Sequence, residues 1–477
     1  MRTTEWAVDE RHTAALPRPS RPAVIGLAAL VAGQVLLAVV GANDPGLFVL
    51  GTLFVLACAA SFMHTLTGLV LLVLFQVRVL QGTSEISVEE LAFAGLFLAT
   101  VSGWALRWGV AESGRRVLRS PLGRTILIFL GVCVISIVPA TLFDSSPLWW
   151  FRDLVRFSYL LLFFPVAHAL RRRRARVALS LALLVVVLFH IVVTLRSYQA
   201  AVAVTRALWQ VKYQRVAVHE VFATASLVTA FAVFLRARSR GVAAGAITLA
   251  LASIATLVAS LTRGYWLASA LAMFVVALMT PRSARRVATF TVVVVGLVLA
   301  VGYAVFPGRF LGVIFSLADR FSTISSPLRV LSMQERLAET TEVLRLIRSS
   351  PFVGRGLGAA VSYMSPLTSR VVTRTYTHNA YLYIWAKLGL VGLVTFGAFY
   401  WQALRRSWQA IASGGGRSVT AIATAGFALL VAFVPLSLTS PQYYDKSSIL
   451  VIVLILGAAE AVARGRAPAG PARGEAR

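Results

Sequence analysis

Long, continuously apolar runs alternate with short polar breaks along almost the entire chain. Each run holds roughly 17–22 residues, the length a helix needs to cross a bilayer core. Fourteen candidate spans fall at 23–41, 46–62, 64–80, 89–108, 124–142, 153–170, 176–196, 217–236, 241–260, 264–280, 287–306, 379–404, 417–438 and 446–464. A membrane barrel would alternate apolar and polar residues, and these runs do not. The pattern predicts an all-α polytopic integral membrane protein with about 12–14 transmembrane helices. The second, third and tenth runs are short enough to be tilted, broken or re-entrant.

The polar breaks orient this bundle. Arginines crowd alternate breaks: Arg107 to Arg124, Arg171 to Arg176, Arg236 to Arg240, Arg282 to Arg286, and Arg405 to Arg417. The intervening breaks are short, mixed or acidic, as at Glu85 to Glu90 and at Asp144. The positive-inside rule then places both termini in the cytoplasm. The expected organisation is a cytoplasmic tail (1–22), an N-terminal transmembrane bundle (23–306), an extracytoplasmic loop (307–378), C-terminal transmembrane helices (379–464) and a second cytoplasmic tail (465–477).

Composition agrees. The chain of 477 residues is 58% hydrophobic and only 13% charged, and its mean hydropathy is +0.79. Its net charge of +28 would suggest nucleic acid in a soluble protein. Here the basic residues lie between membrane spans, so no nucleic-acid role is expected. Lysine occurs only at positions 212, 387 and 446, and every other basic side chain is arginine. Codon usage explains that bias, and so does the fork geometry with which guanidinium grips phosphate. Cys58 and Cys133 lie inside apolar runs, with no disulfide or metal-ligand spacing. No removable signal peptide is read at the N-terminus.

Two external segments break the lean pattern, Ser197 to Val216 and the stretch of about seventy residues from Pro307 to Thr377. Within the latter, Leu331, Leu337, Leu344 and Ile347 recur among charged residues, which predicts a helix closed by Pro351. Gly354-Arg355-Gly356-Leu357-Gly358 follows, a turn able to bring backbone amides close to a partner.

Three residues around this loop carry candidate chemistry. Arg263 begins a membrane helix, where it is either a snorkelling side chain or an anion binder helped by Gly264 and the helix N-terminus. His378 sits at the mouth of the next span beside Asn379. There it is either a capping residue or a general base able to take a proton from a hydroxyl. Arg336, on the loop helix with Glu335 and Glu339, is either an intrahelical ion-pair partner or a second phosphate-binding arm. Supporting candidates are Arg215 and Lys212 in the shorter external segment, Gly264, Gly356 and Asn379. No Asp-x-Asp-like motif stands at an external break, so metal-dependent transfer is disfavoured and no metal or cofactor is expected.

At these residues the chain resembles the O-antigen ligase/polymerase superfamily of bacterial envelopes. Three pieces carry the resemblance: Ser260-Leu261-Thr262-Arg263-Gly264-Tyr265-Trp266-Leu267; Arg336 followed by Pro351 to Gly358; and His378-Asn379-Ala380-Tyr381-Leu382 followed by Lys387 to Leu393. The resemblance implies a GT-C-like glycosyltransferase that takes a glycan from an undecaprenyl-diphosphate carrier on the outer face of the inner membrane, without metal and with inversion. Arg263 and Arg336 would bind the diphosphate, and His378 would activate the acceptor hydroxyl. The acceptor would be a glycan or a lipid such as lipopolysaccharide core. Lys387 departs from the pattern, since many members carry Glu there. Two spans beyond a twelve-span plan point toward a polymerase, or a ligase with an elaborated N-terminus. The competing class is a transporter or flippase of lipid-linked sugars, in which an arginine-lined cavity would also suit an anionic lipid. Internal halves related by symmetry would mark such a transporter, and no repeat is visible in the sequence.

Overall fold

A computed structural model describes residues 45–77, 88–109, 111–204, 219–280, 283–305, 310–322, 331–414 and 416–464. The first expected span, both terminal tails, Lys212 and Arg215 lie outside the described residues. In chain order the helices begin with α1 (Pro45–Met63), α2 (Thr65–Leu74), α3 (Val88–Trp104), α4 (Glu112–Leu118), α5 (Pro121–Ile135), α6 (Ile137–Leu142), α7 (Pro147–Ser158), α8 (Phe163–Ala169) and α9 (Arg173–Ala203). They continue with α10 (Glu220–Arg236), α11 (Arg240–Ser260), α12 (Arg263–Leu278), α13 (Ala284–Val305), α14 (Phe310–Ser322), α15 (Leu331–Ser349), α16 (Ala380–Ala412), α17 (Arg417–Leu436) and α18 (Lys446–Arg464). Between α15 and α16 lies an antiparallel hairpin, β1 (Val361–Ser365) and β2 (Arg370–Arg374), with Val361 opposite Arg374.

Among the described residues, eight helical segments are long and apolar enough to cross a membrane, and three shorter apolar helices accompany them. The protein is therefore an all-α polytopic membrane protein. Its lipid-facing surfaces are apolar: α9 turns Leu181, Leu184, Val185, Leu188 and Val192 outward while burying Leu179, Ala182, Val186 and Ile191. Bilayer tails are as apolar as a core, so greasy residues cover both sides of such a helix.

The run 153–170 does not form one span. It is α7, a tight 3₁₀ turn at Tyr159–Leu162, and then α8. Pro165 has no amide to return to the Leu161 carbonyl, so a straight α-helix cannot pass through it. Arg152, Asp153 and Phe157 of α7 face the protein interior.

The element that positions everything else is the kink in α16. Gly389 has φ 66° and ψ −169°, inside an otherwise helical stretch. Such a break frees carbonyls and amides that lipid cannot satisfy. The glycine loop after α15 satisfies them. The amides of Arg355 and Gly356 donate to the carbonyls of Ala386 and Lys387 at 2.9 and 2.8 Å. In return, the amides of Leu390 and Val391 donate to Pro351 and Phe352 at 2.9 and 3.3 Å. Trp385 Nε1 adds a bond to the Pro351 carbonyl at 3.0 Å.

The two chains approach so closely that a Cβ on Gly354 would meet the Lys387 carbonyl, and one on Gly389 the Phe352 carbonyl. Only glycine tolerates the backbone at position 389. Gly389→Ala is expected to cost at least about 1–3 kcal/mol from backbone strain alone. The check is a thermal unfolding scan of the detergent-solubilised protein, and an unchanged midpoint would contradict the interlock.

Candidate active site

The mouth of α16 is built from its cap outward. Asn379 is the N-cap, and its side-chain oxygen accepts from the amides of Tyr381 and Leu382 at 3.0 and 3.1 Å. His378 therefore stands just outside the helix, held by the capped turn. Its amide and its Nδ1 both lie 2.9 Å from Glu339 Oε2 on α15. Glu339 is buried and its other oxygen, Oε1, has no hydrogen-bond partner among the described residues. A carboxylate accepts, so Nδ1 carries the proton and donates. That tautomer leaves Nε2 of the half-buried imidazole with a free lone pair.

The orientation of α15 explains how Glu339 arrives there. Glu335, Glu339, Val343 and Ile347 form one buried stripe at intervals of four residues. Val343 and Ile347 pack with Val361, Tyr363 and Ala386. Leu337 and Leu344 face outward. The two acids thus lie on the inward face instead of bracketing Arg336 on a solvated one. Glu335 accepts from Tyr363 Oη at 2.9 Å and Ser365 Oγ at 2.5 Å, and pairs with Arg374 at 3.5 Å. Burial pushes its carboxyl up, but those hydrogen bonds and the Arg374 guanidinium outweigh burial and hold it below its ordinary range.

Arg263 is the first residue of α12, immediately after Leu261 in a left-handed conformation and the N-cap Thr262. Thr262 Oγ1 donates to Glu220 at 2.8 Å, which ties the break to the start of α10. Gly264 fits against the corner that ends α17: a Cβ there would lie 3.1 Å from Leu436. The amide of Ala380 donates to Ser437 in that same corner at 2.9 Å. The breaks carrying Arg263 and His378 therefore flank one corner, residues 436–439. Arg336 is half-buried on α15, one helical turn before Glu339.

Gly356 does not cradle a ligand through its amide, which is committed to Lys387; the amides of Leu357 and Gly358 go to Ser136 Oγ at 3.4 Å and Asp153 Oδ2 at 2.8 Å. Asp153 also pairs with Lys387, and both side chains are buried. This ion pair explains the lysine at the position that departs from the familiar pattern.

Besides Glu339, one functional candidate was missed in the sequence. Arg156 of α7 lies over the Tyr444 ring at 3.7 Å, and Tyr444 stacks on Tyr376 at 6.0 Å. Tyr376 meets the His378 ring edge-on at 6.0 Å. Arg156 Nη1 is buried and makes no hydrogen bond among the described residues, and its carboxylate neighbour Asp153 is 3.7 Å away. Arg156 lay inside a presumed membrane span, so its sequence context concealed it.

Taken together, the fold and this site define a multi-pass membrane protein with a carboxylate-oriented histidine at a helix mouth. Residues 246–397, about a third of the chain, match the family model for O-antigen ligase. The matched segment runs from within α11 past the kink of α16, taking in Arg263, Arg336, the glycine loop and His378. The match supports the O-antigen ligase superfamily, whose members are membrane enzymes of the ligase or polymerase type. No curated protein matches the chain.

Two outcomes test the site. Glu339→Ala is expected to lower turnover about 10²-fold with little change in KM, because it misorients a proton acceptor without touching donor binding. An equal loss in a His378→Ala background would mean that Glu339 acts through something other than His378. Separately, Glu335 has a folded pKa below its unfolded one. The stability it supplies is complete above the ordinary carboxylate range and is lost as pH falls through the depressed folded value. Thermal midpoints measured downward from pH 7 should fall more steeply for wild type than for Glu335→Gln.

Proposed function

We propose that the protein transfers a glycan from an undecaprenyl-diphosphate carrier to an acceptor hydroxyl, on the extracytoplasmic face of a bacterial inner membrane. The observation that carries this reading is the His378–Glu339 pair, with Nδ1 anchored at 2.9 Å and Nε2 left to accept. In the reaction the acceptor oxygen attacks the anomeric carbon as the carbon–oxygen bond to the diphosphate breaks. The hydroxyl proton passes to His378 Nε2, and undecaprenyl diphosphate leaves with the bonding pair. A single displacement inverts the anomeric carbon.

The leaving diphosphate gains charge during this step, and fixed cations nearby lower the barrier. Arg263 and Arg336 are the proposed grips, with the N-termini of α12 and α16 adding partial positive charge. Arg156 stands on the Tyr444 side as a third guanidinium. No metal is invoked; guanidinium takes over the charge neutralisation. The charge alternation of the breaks supports cytoplasmic termini and an outward-facing site. A GT-C-like architecture is part of this reading. It leaves ligase and polymerase as alternatives that differ only in the acceptor.

Reconstitution with a lipid-diphosphate-linked oligosaccharide tests it. Longer carrier-linked chains from donor alone identify a polymerase, and product formed only with an added acceptor lipid identifies a ligase. No covalent product with either, across varied acceptors, would refute the transferase reading in favour of lipid-linked sugar transport. Arg263→Lys is expected to keep the charge yet lose activity at least tenfold, because a lysine cannot grip phosphate in two-pronged fashion.

A further inference from the structure

At the far end of the same helices lies a second basic site that the transfer reaction does not use. A cavity of about 360 Å³ is lined by Leu235, Arg236, Arg286, Arg417 and Thr420. Three guanidinium groups line it and no carboxylate does. They come from the C-terminal end of α10, the N-terminal end of α13 and the first residue of α17. The twenty residues of α17 place this cavity roughly 30 Å from the Leu436 corner at the candidate active site, about one bilayer core away.

Two of the arginines are set by the protein itself. Arg236 Nη2 donates to the Met279 carbonyl at 3.5 Å and to Thr424 Oγ1 at 3.3 Å. Its Nη1 is buried without a hydrogen-bond partner among the described residues. Arg286 Nη1 donates to the Leu235 carbonyl at 2.6 Å and leaves its other nitrogen for a ligand. Three like charges lining one cavity without a counter-charge among the described residues are mutually repulsive, so the arrangement calls for an anion. Beside it, α12 ends with Phe274 and Leu278 turned outward on one face, an apolar track running along the bilayer.

We infer that this cavity binds the phosphate headgroup of an anionic phospholipid from the leaflet at that end, with the acyl chains lying along α12. Guanidinium supplies paired donors for a phosphodiester, and the apolar face beside the cavity distinguishes a lipid from a free phosphate. The site is independent of the transferase chemistry.

The experiment uses the purified full-length protein in a neutral detergent. Dioctanoyl phosphatidylglycerol, dioctanoyl phosphatidylcholine, glycerol phosphate and inorganic phosphate are titrated separately, reading thermal midpoint and bound lipid by native mass spectrometry. Phosphatidylglycerol alone should raise the midpoint and remain bound. Arg286→Gln and Arg417→Gln, both exposed positions, should each weaken that binding about fivefold. Arg116→Gln, an exposed arginine on α4, should leave it unchanged. Equal phosphatidylglycerol binding by the Arg286 and Arg417 variants would overturn the site. Equal stabilisation by inorganic phosphate would overturn its assignment to a lipid.

Discussion

The interlock between the kinked helix α16 and the glycine loop is the constraint on which the rest of the molecule depends. A break in a membrane helix leaves backbone groups that lipid cannot satisfy. Here Arg355 and Gly356 take the freed carbonyls, and Pro351 and Phe352 take the freed amides. The arrangement works only because Gly354 and Gly389 have no side chains, and it holds the end of α15 against the middle of α16. The buried Asp153–Lys387 pair, which also engages the Gly358 amide, fastens α7 to the same knot. Removing one partner of such a buried pair typically costs about 3–5 kcal/mol. The loop that looks like a ligand cradle is, in its backbone, a clasp.

The clasp also aims the chemistry. Once the end of α15 is fixed, its inward stripe is fixed, and Glu339 meets His378 while Glu335 anchors the hairpin. Glu339 is buried and still uses one oxygen for two donors from His378. A buried carboxylate is costly unless its charge is answered. Here the answer is a pair of hydrogen bonds, from the His378 amide and from its Nδ1. Helices α10 and α17, which border this site at one end, carry arginines around a cavity at the other.

Two of the motif breaks come together for a topological reason. Residues 436–439 close α17, receive the amide of Ala380 and accept Gly264 against Leu436. Arg263 and His378, 115 positions apart in the chain, therefore border one corner. Arg156 joins from the first half of the chain through the aromatic contacts Tyr444 and Tyr376.

The sequence by itself determined the membrane class and most helix positions, and it supplied the residues from which a candidate site could be drawn. Those features are set by local quantities: run length, charge alternation and short glycine-rich motifs, each legible without knowing any neighbour. It could not show which face of α15 turns inward. Its apolar residues marked a helix but not its inward face, and packing chose the face bearing Glu335 and Glu339. Nor could it pair Asp153 with Lys387, more than two hundred positions apart, or show that α7 brings Arg156 to Tyr444. Buried charges find partners through tertiary contact, and such partners have no fixed spacing along the chain. Only the folded structure decided which carboxylate orients the histidine.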